Sequence, residues 1–147
     1  MISMISMSAV KPEQTMFSGV NHCNHARTEL AATMFVRKLR IRSHLKGYAY
    51  LITAIVLGKN NPQLLHSLTS QLYPAVAAVY NTTAAAVERN IRTAIDLAAA
   101  TDPERVQAVF YYHTRKPYIS EVLALALETI RLEQFPDKDF SAFHVQG

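Results

Sequence analysis

Cysteine and long apolar runs are scarce in this 147-residue chain, and each scarcity excludes a class of protein. The single cysteine, Cys23, excludes an internal disulfide and is typical of a protein from a reducing compartment. No uninterrupted apolar run approaches the ~20 residues that cross a bilayer. The start of the chain, MISMISMSAV, has neither the basic region nor the sustained apolar region of a secretory signal. We therefore expect a cytoplasmic protein without a membrane partner.

Motifs for catalysis and metal binding are also lacking. The chain contains no glycine-rich phosphate loop, no HExxH, no paired-cysteine metal spacing and no nucleophile elbow. An H-C-x-H cluster at residues 22–25 offers three candidate ligands without a fourth in range, which is a weak metal signal. The remaining isolated histidines include His66, His113 and His144. We therefore expect no enzyme activity, no cofactor and no bound metal.

The composition is that of one folded domain. Half of the residues are hydrophobic, which excludes a disordered chain, and the length suits a single core. The formal net charge of +4 permits a polyanionic partner but does not require one. Because residues 1–26 show no sustained period, we predict a flexible leader at 1–26, a helical domain at 27–134 and a loose tail at 135–147.

Apolar residues recur at helical spacing through the middle of the chain, and no stretch alternates convincingly like a strand. We predict an all-α, compact bundle of about six helices that contains a helix-turn-helix. The first helix is predicted from Thr28, the second from Ser43 or His44 to Gly58, and the last over 120–134. The residues expected to face the core on the first helix are Leu30, Met34, Val36, Leu39 and Ile41. On the last helix they are Val122, Leu123, Leu127, Ile130 and Leu132.

Two neighbouring amphipathic segments, 68–80 and 81–100, form a candidate helix-turn-helix. Asn81 and the two threonines after it are good helix N-caps, because a short side-chain oxygen can accept an otherwise unpaired backbone N–H. In the first segment one side is formed by Leu68, Leu72, Val76 and Val79. In the second, an apolar face is formed by Ala84, Val87, Ile91, Ala94 and Ala98, with Ile95 at its edge.

The opposite face of the second segment is polar and carries Glu88, Arg89 and Arg92. The two arginines can reach guanine O6 and N7 in the major groove, where Arg offers a bidentate fork. Glu88 can accept from a cytosine amino group or orient a neighbouring Arg. Thr83 and Thr93 are predicted contacts to the DNA backbone. The same pattern also fits an ordinary bundle helix with a solvated charged face, since many all-helical proteins contain such corners.

Basic residues crowd together before the second predicted helix, with no acid among them: Arg37, Lys38, Arg40, Arg42 and Lys46. Such a run is usually a solvated surface. Beside a helix-turn-helix it also suits a clamp on the duplex backbone, because each neutralised phosphate releases condensed counterion. Lys46 lies at a predicted helix N-terminus, where N–H groups and the helix dipole attract an anion. Contacts to DNA phosphates are predicted for Arg37, Arg40, Arg42 and Lys46.

Three stretches resemble one known family: HLKGYAYL (44–51), LTSQLYPAVAAVYNTTAAAVERNIRTAI (68–95) and ETIRLE (128–133). They are similar to the C-terminal effector domain of the stage 0 sporulation protein A family, the response regulators that initiate endospore formation. The similarity runs from about His44 to about Glu133 with the helix order intact. The resemblance implies a winged-helix-like effector domain without a β wing, acting as a sequence-specific, nucleoid-associated regulator of transcription.

The resemblance also assigns roles to individual residues. Glu88, Arg89 and Arg92 stand where the family reads its TGTCGAA-like box. Lys46 belongs to the KGY corner, which lies against the DNA backbone in the family. Ala86 and Thr93 depart from the family, which typically has an Arg and a His there, and this leaves the preferred site of the chain open.

The partners implied are double-stranded DNA, a second copy of the chain on tandem sites, and the RNA polymerase sigma subunit. In the family, sigma is touched by the segment that corresponds to roughly 98–111 here. Family members also carry an N-terminal receiver domain, which about 25 leader residues cannot form. A stand-alone effector and a fragment are therefore both open. The alternative function is a protein-interaction module of the same fold that partners or antagonises a full-length regulator or RNA polymerase without reading DNA.

Overall fold

The computed structural model of the chain describes residues 12–110 and 116–134, with side-chain surroundings for 25–110 and 116–133. Six α-helices occupy this part: α1 (Pro12–Lys38), α2 (Lys46–Asn60), α3 (Tyr73–Tyr80), α4 (Ala84–Thr101), α5 (Pro103–Val109) and α6 (Ile119–Gln134). A short 3₁₀ helix (Pro62–His66) and a π turn (Leu68–Leu72) join α2 to α3. No strand occurs in these described ranges, and the prediction of an all-α bundle of about six helices is confirmed.

Helix α2 lies at the centre of the bundle and packs on α1, α3, α4 and α6. Its sequence, KGYAYLITAIVLGKN, has no acidic residue, and its buried residues surround the helix axis instead of forming one stripe. A helix that is apolar all round is stable only when it is buried. Leu51 and Ile55 are fully buried, and removing each such side chain from water contributes roughly 1.5–3 kcal/mol. The other helices are thus arranged around α2.

Helix α1 differs from its prediction in both length and orientation. It begins at Pro12, so the predicted start at Thr28 is wrong, and residues 12–26 of the predicted leader are helical. Leu30 and Met34, predicted to face the core, are 61% and 62% exposed. Ile41, after the helix, is buried as predicted. The face that packs inward is formed by Thr28, Ala32 and Phe35, together with Val36 and Leu39 as predicted. These positions follow one helical stripe, whereas Leu30 and Met34 lie on another side of the helix.

The turn from α1 to α2 ends the first helix with a left-handed residue. Arg40 has φ 68°, and its N–H bonds to the carbonyl of Arg37. The N–H of Ile41 reaches back to the carbonyl of Val36, which completes the hydrogen-bond pattern of a Schellman motif. Helix α2 then begins at Lys46 and ends at Asn60, so its predicted limits at Ser43 or His44 and at Gly58 are wrong by a few residues.

Helices α3 and α4 form the predicted helix-turn-helix, joined by three residues. Asn81 adopts the left-handed conformation that closes α3, and the N–H of Thr82 bonds to the carbonyl of Ala77. Of the three predicted N-caps, Thr83 is confirmed because it caps α4, whereas the N-cap role of Asn81 is wrong. In the first segment Leu72 and Val76 are buried as predicted, but Val79 is exposed, because the buried face of α3 extends toward Tyr73 and Ala77 on the other side of Val76.

The closing helix α6 packs on α1, α2 and α4. Val122, Leu123 and Ile130 are buried as predicted, but Leu132 is exposed near the end of the helix. The predicted tail at 135–147 and residues 1–11 of the predicted leader lie outside the described residues. The side chains of His22 and Cys23 in the H-C-x-H cluster also lie outside them. The proposed domain limits stay predictions.

Candidate nucleic-acid interface

Helix α4 separates its side chains into the two faces expected from its sequence. The residues that face the core are Val87, Ile91, Ala94, Ile95 and Ala98, all of them buried. On the other side Arg89, Arg92 and Thr93 are exposed, while Glu88 and Asp96 are partly exposed. The apolar face packs on α2 and α3 and fixes the helix. The charged face is therefore held in a defined orientation and is open to a partner.

The N-terminus of α4 favours a negatively charged partner. Thr83 caps it, since its Oγ1 accepts the N–H of Ala86 at 3.1 Å. The first turn, AAA, contains no acidic side chain that would offset the positive end of the helix dipole. A threonine hydroxyl that accepts this bond still has its own hydrogen to donate. Thr83 can therefore cap the helix and bond a phosphate oxygen at the same time.

Glu88 and Arg92 form an ion pair on the partly exposed side of α4. Arg92 Nη2 donates to Glu88 Oε2 at 2.7 Å, with the glutamate four residues before the arginine, which is the favourable order. Exposed helix pairs of this type contribute only ~0.3–0.5 kcal/mol. The pair therefore orients Arg92 without fixing it, and the rest of the guanidinium fork remains for a further acceptor.

A buried phenol lies beside this ion pair. Tyr73, the first residue of α3, is buried and lines a cleft of about 380 Å³ together with Arg92. Burial raises the pKa of Tyr73, the Glu88 carboxylate raises it further, and the Arg92 guanidinium opposes the shift. The phenol is therefore neutral at physiological pH. Sequence reasoning did not assign Tyr73 to the site, because only the packing of α3 on α4 brings it there.

Arg89 and Thr93 occupy the middle of the exposed face of α4. Arg89 makes no hydrogen bond or ion pair with any described side chain. Asn90, on the flank of the helix, donates from Nδ2 to the carbonyl of Ala86 at 2.7 Å. Ala86 itself is only partly exposed. The structure thus brings Glu88, Arg89 and Arg92 together on one surface, as the sequence predicted.

Lys46 is placed beside α4 by the glycine that follows it. A Cβ added to Gly47 would lie 2.2 Å from the carbonyl oxygen of Asn90 and 2.8 Å from Cβ of Ala94, so only glycine allows this approach. Lys46 is exposed and is the first residue of α2, whose N-cap, Leu45, provides no side-chain cap. Lys46 and the positive end of the α2 dipole therefore lie together beside α4, at the level of Asn90.

Arg40, another basic residue of the run, lies at the C-terminal end of α4 and not beside its middle. Arg37, Arg40 and Arg42 are exposed. Arg40 Nε lies 3.5 Å from Asp102 Oδ2, just beyond the C-terminal end of α4. Asp102 follows Asn90 by twelve residues, which corresponds to about 18 Å along a helix. The structure thus separates Lys46, beside the middle of α4, from Arg40, at the end of α4.

Lys116 is a further cation beside α4 that sequence reasoning did not assign. Its Nζ lies 3.6 Å from Oδ1 of Asp96, on the same helix as Arg92. In the sequence, KPY at 116–118 indicates only a break between helices. Its position beside α4 depends on a contact across twenty residues, for which the local pattern contains no signal.

Within the described residues, no helix is long and apolar enough to cross a membrane. The same part of the chain contains no group of three or more potential metal-binding side chains. These findings add no second candidate site to the exposed face of α4.

Comparison with known families identifies the domain. The family model described as Sporulation initiation factor Spo0A C terminal matches residues 32–130, which is more than half of the chain. The matched range extends from the second half of α1 to α6 and includes the whole helix-turn-helix. It is a family of DNA-binding effector domains of transcription regulation in sporulation, and it is not an enzyme family. The chain belongs to the Spo0A C-terminal family and is a DNA-binding effector domain.

Proposed function

We propose that this protein binds double-stranded DNA sequence-specifically and regulates transcription, with α4 inserted in the major groove. The observation that carries the proposal is the clustering of Glu88, Arg89 and Arg92 on the exposed side of the second helix of a helix-turn-helix. In this motif the second helix enters the major groove with its N-terminal residues at the base edges. All three residues lie within the first three turns of α4.

Base reading is assigned to the two arginines. Arg89 has no described ionic partner to give up, so its fork can bond guanine O6 and N7 directly. Arg92 presents its remaining N–H groups while Nη2 stays on Glu88, and Glu88 thus acts as the residue that orients it. Glu88 also has acceptor capacity for a cytosine amino group. Both roles predicted for Glu88 are compatible with this geometry.

Contacts to phosphates surround the base-reading residues. Lys46 and the uncapped start of α2 provide one, and Thr83 at the start of α4 provides another. Thr93 is exposed on the same face as Arg89. The other proposed backbone contacts are Arg37, Arg40 and Arg42. When DNA binds, a phosphate would replace Asp102 as the ionic partner of Arg40. The loss of free energy is small, because the pair between Arg40 and Asp102 is largely exposed.

Two copies side by side are proposed as the functional unit on DNA. A single recognition helix contacts few base pairs, and Ala86 and Thr93 provide less reach than the Arg and His typical of the family. Binding of the second copy at an adjacent box then benefits from a high effective concentration. We also propose that the protein contacts the RNA polymerase sigma subunit and associates with the nucleoid.

Arg92→Ala tests the base-reading assignment. We expect a loss of about 1–3 kcal/mol on a TGTCGAA-like duplex, and a relaxed preference at one base pair. Helix content should be unchanged, because Ala is the better helix former. The measurement is fluorescence anisotropy on duplexes that vary one base pair at a time.

The matched control is Arg131→Ala on α6. Arg131 is similarly exposed, 57% against 58% for Arg92, and pairs with Glu128 one turn away as Arg92 pairs with Glu88. We expect Arg131→Ala to leave the base-pair preference of DNA binding unchanged. An equal loss for Arg92→Ala on preferred and scrambled DNA would mean that Arg92 touches only phosphate. Absence of binding to every duplex by the unmodified protein would instead favour the protein-interaction module.

A further inference from the structure

We propose that Lys116 is a second lysine contact to the DNA backbone, on the flank of α4 opposite Lys46. The proposal rests on the proposed function, because it places α4 in the major groove. It adds a residue from the segment before α6, which lies outside the helix-turn-helix.

The first step is that Lys116 is positioned by ordered neighbours. Pro117 and Ile119 are buried, and they anchor the segment on both sides of Tyr118. The N–H of Tyr118 donates to Oε1 of Glu121 at 2.8 Å, which fixes the start of α6. Lys116 itself is 61% exposed. Its backbone is therefore held against the domain while its ammonium group faces outward.

The second step is that Lys116 and Lys46 lie on different flanks of α4. Gly47, next to Lys46, approaches α4 at Asn90, whereas Lys116 approaches it at Asp96. Six residues separate Asn90 from Asp96, which corresponds to a rotation of about 240° around the helix axis at ~100° per residue. Arg89 lies one residue before Asn90, at about 260° on the same scale, and falls between the two flanks on the exposed side. Arg92, two residues after Asn90 at about 200°, lies on the Lys116 side of α4, so Arg89 is the base-reading arginine between the approaches of the two lysines.

The dimensions of the helix match those of the major groove. A helix with its side chains is about 10–12 Å across, and the major groove of B-DNA is about 12 Å wide. A helix in the groove therefore lies between the two phosphate strands. Lysines on its two flanks face one strand each, and both can neutralise phosphates while Arg89 between them faces the bases.

Lys116 also offsets the negative charge of Asp96. Asp96 continues the line of Glu88 and Arg92 along α4 at four-residue spacing, so its carboxylate lies close to the DNA-facing surface. An unpaired carboxylate there would repel phosphate. The pair with Lys116 is partly exposed on both sides, and such pairs are weak. Lys116 can therefore screen Asp96 in the free protein and exchange it for a phosphate when DNA binds.

The test combines Lys116→Ala with Asp96→Asn and the double variant, on boxed and scrambled duplexes across a salt series. For Lys116→Ala we expect the slope of log K against log salt to fall in magnitude by about 1 on both duplexes. Such a change means that the affinity gap to the unmodified protein shrinks roughly 3.5-fold between 50 and 200 mM salt. Sequence preference should not change. Asp96→Asn should tighten binding to both duplexes.

Three outcomes would overturn the inference. An unchanged slope for Lys116→Ala, while the unmodified protein binds DNA with salt dependence, would remove Lys116 from the contact set and leave the proposed function intact. If Lys116→Ala lowers the affinity for DNA in the unmodified protein but not in the Asp96→Asn variant, Lys116 only masks the charge of Asp96. A similar slope change for Arg131→Ala, which removes a positive charge from α6, would show a general effect of net charge. If the unmodified protein binds no duplex at all, the proposed function fails first.

Discussion

Gly47→Ala tests whether the close approach of α2 to α4 is required. The added Cβ would lie 2.2 Å from a backbone oxygen of Asn90 and 2.8 Å from Cβ of Ala94, and contacts under 3.0 Å do not persist in proteins. A backbone atom cannot rotate away, so the two helices must separate. Overpacking of this kind costs about 1–3 kcal/mol. Gly47 is only the second residue of α2, so alanine recovers less there than the ~1 kcal/mol of a helix interior, and we expect a net loss of about 1–2 kcal/mol.

The assay is thermal and urea unfolding followed by circular dichroism. A net loss of 1–2 kcal/mol corresponds to a midpoint lower by roughly 3–12 °C for a domain of this size. Because the separation also moves Lys46 relative to α4, the salt dependence of DNA binding should weaken as well.

Gly58→Ala is the matched control on the same helix. Its Cβ would meet Cδ2 of Leu65 at 2.9 Å, and this atom is the end of a flexible side chain. We expect a change within about 1 kcal/mol in either direction, since helix propensity and side-chain adjustment offset each other. If Gly47→Ala is as stable as Gly58→Ala, the packing argument is wrong.

Three further predictions follow from the same structure. Thr83→Ala should lower the free energy of unfolding in urea by about 0.5–2 kcal/mol, because it removes the N-cap of α4. Thr82→Ala should cost less, because the described hydrogen bond of Thr82 is made by its backbone, and equal losses would contradict the cap assignment. Lys46→Ala should lower the magnitude of the salt slope of DNA binding by about 1 on every duplex, and Lys59→Ala, at the other end of α2, should not; an unchanged slope for Lys46→Ala excludes it as a contact. Binding to two boxes at helical-turn spacing should be cooperative relative to one box, and the same affinity per box in both isotherms would contradict the proposed pairing.

The helix-turn-helix could be predicted from the sequence because its pattern is local. The apolar spacing of α4 runs without interruption from Val87 to Ala98, and the charged residues fall on the other side of the same period. The fold class followed from the same periodicity. The resemblance at 44–51 and 68–95 added the assignment of the base-reading residues, which the residues alone left open against a solvated bundle helix.

The incorrect predictions depend on features that a local pattern does not contain. In α1, the prediction of Val36 and Leu39 is confirmed, but packing against α2 and α6 buries Ala32 and Phe35 beside them in place of Leu30 and Met34. Asn81 is a good N-cap residue and an equally good left-handed residue, and the second property decided its position. The contact between Lys116 and α4 could not be predicted from a local pattern, because it joins residues twenty positions apart and depends on the path of the whole chain.

The most direct test of the central claim is a salt-titrated binding assay on a TGTCGAA-like duplex and on a scrambled duplex of the same length. If α4 reads bases, the unmodified protein should bind the boxed duplex more tightly at every salt concentration, with a similar salt slope on both, because base contacts add affinity without releasing further counterions. Equal affinity for the two duplexes would contradict base reading by Arg89 and Arg92.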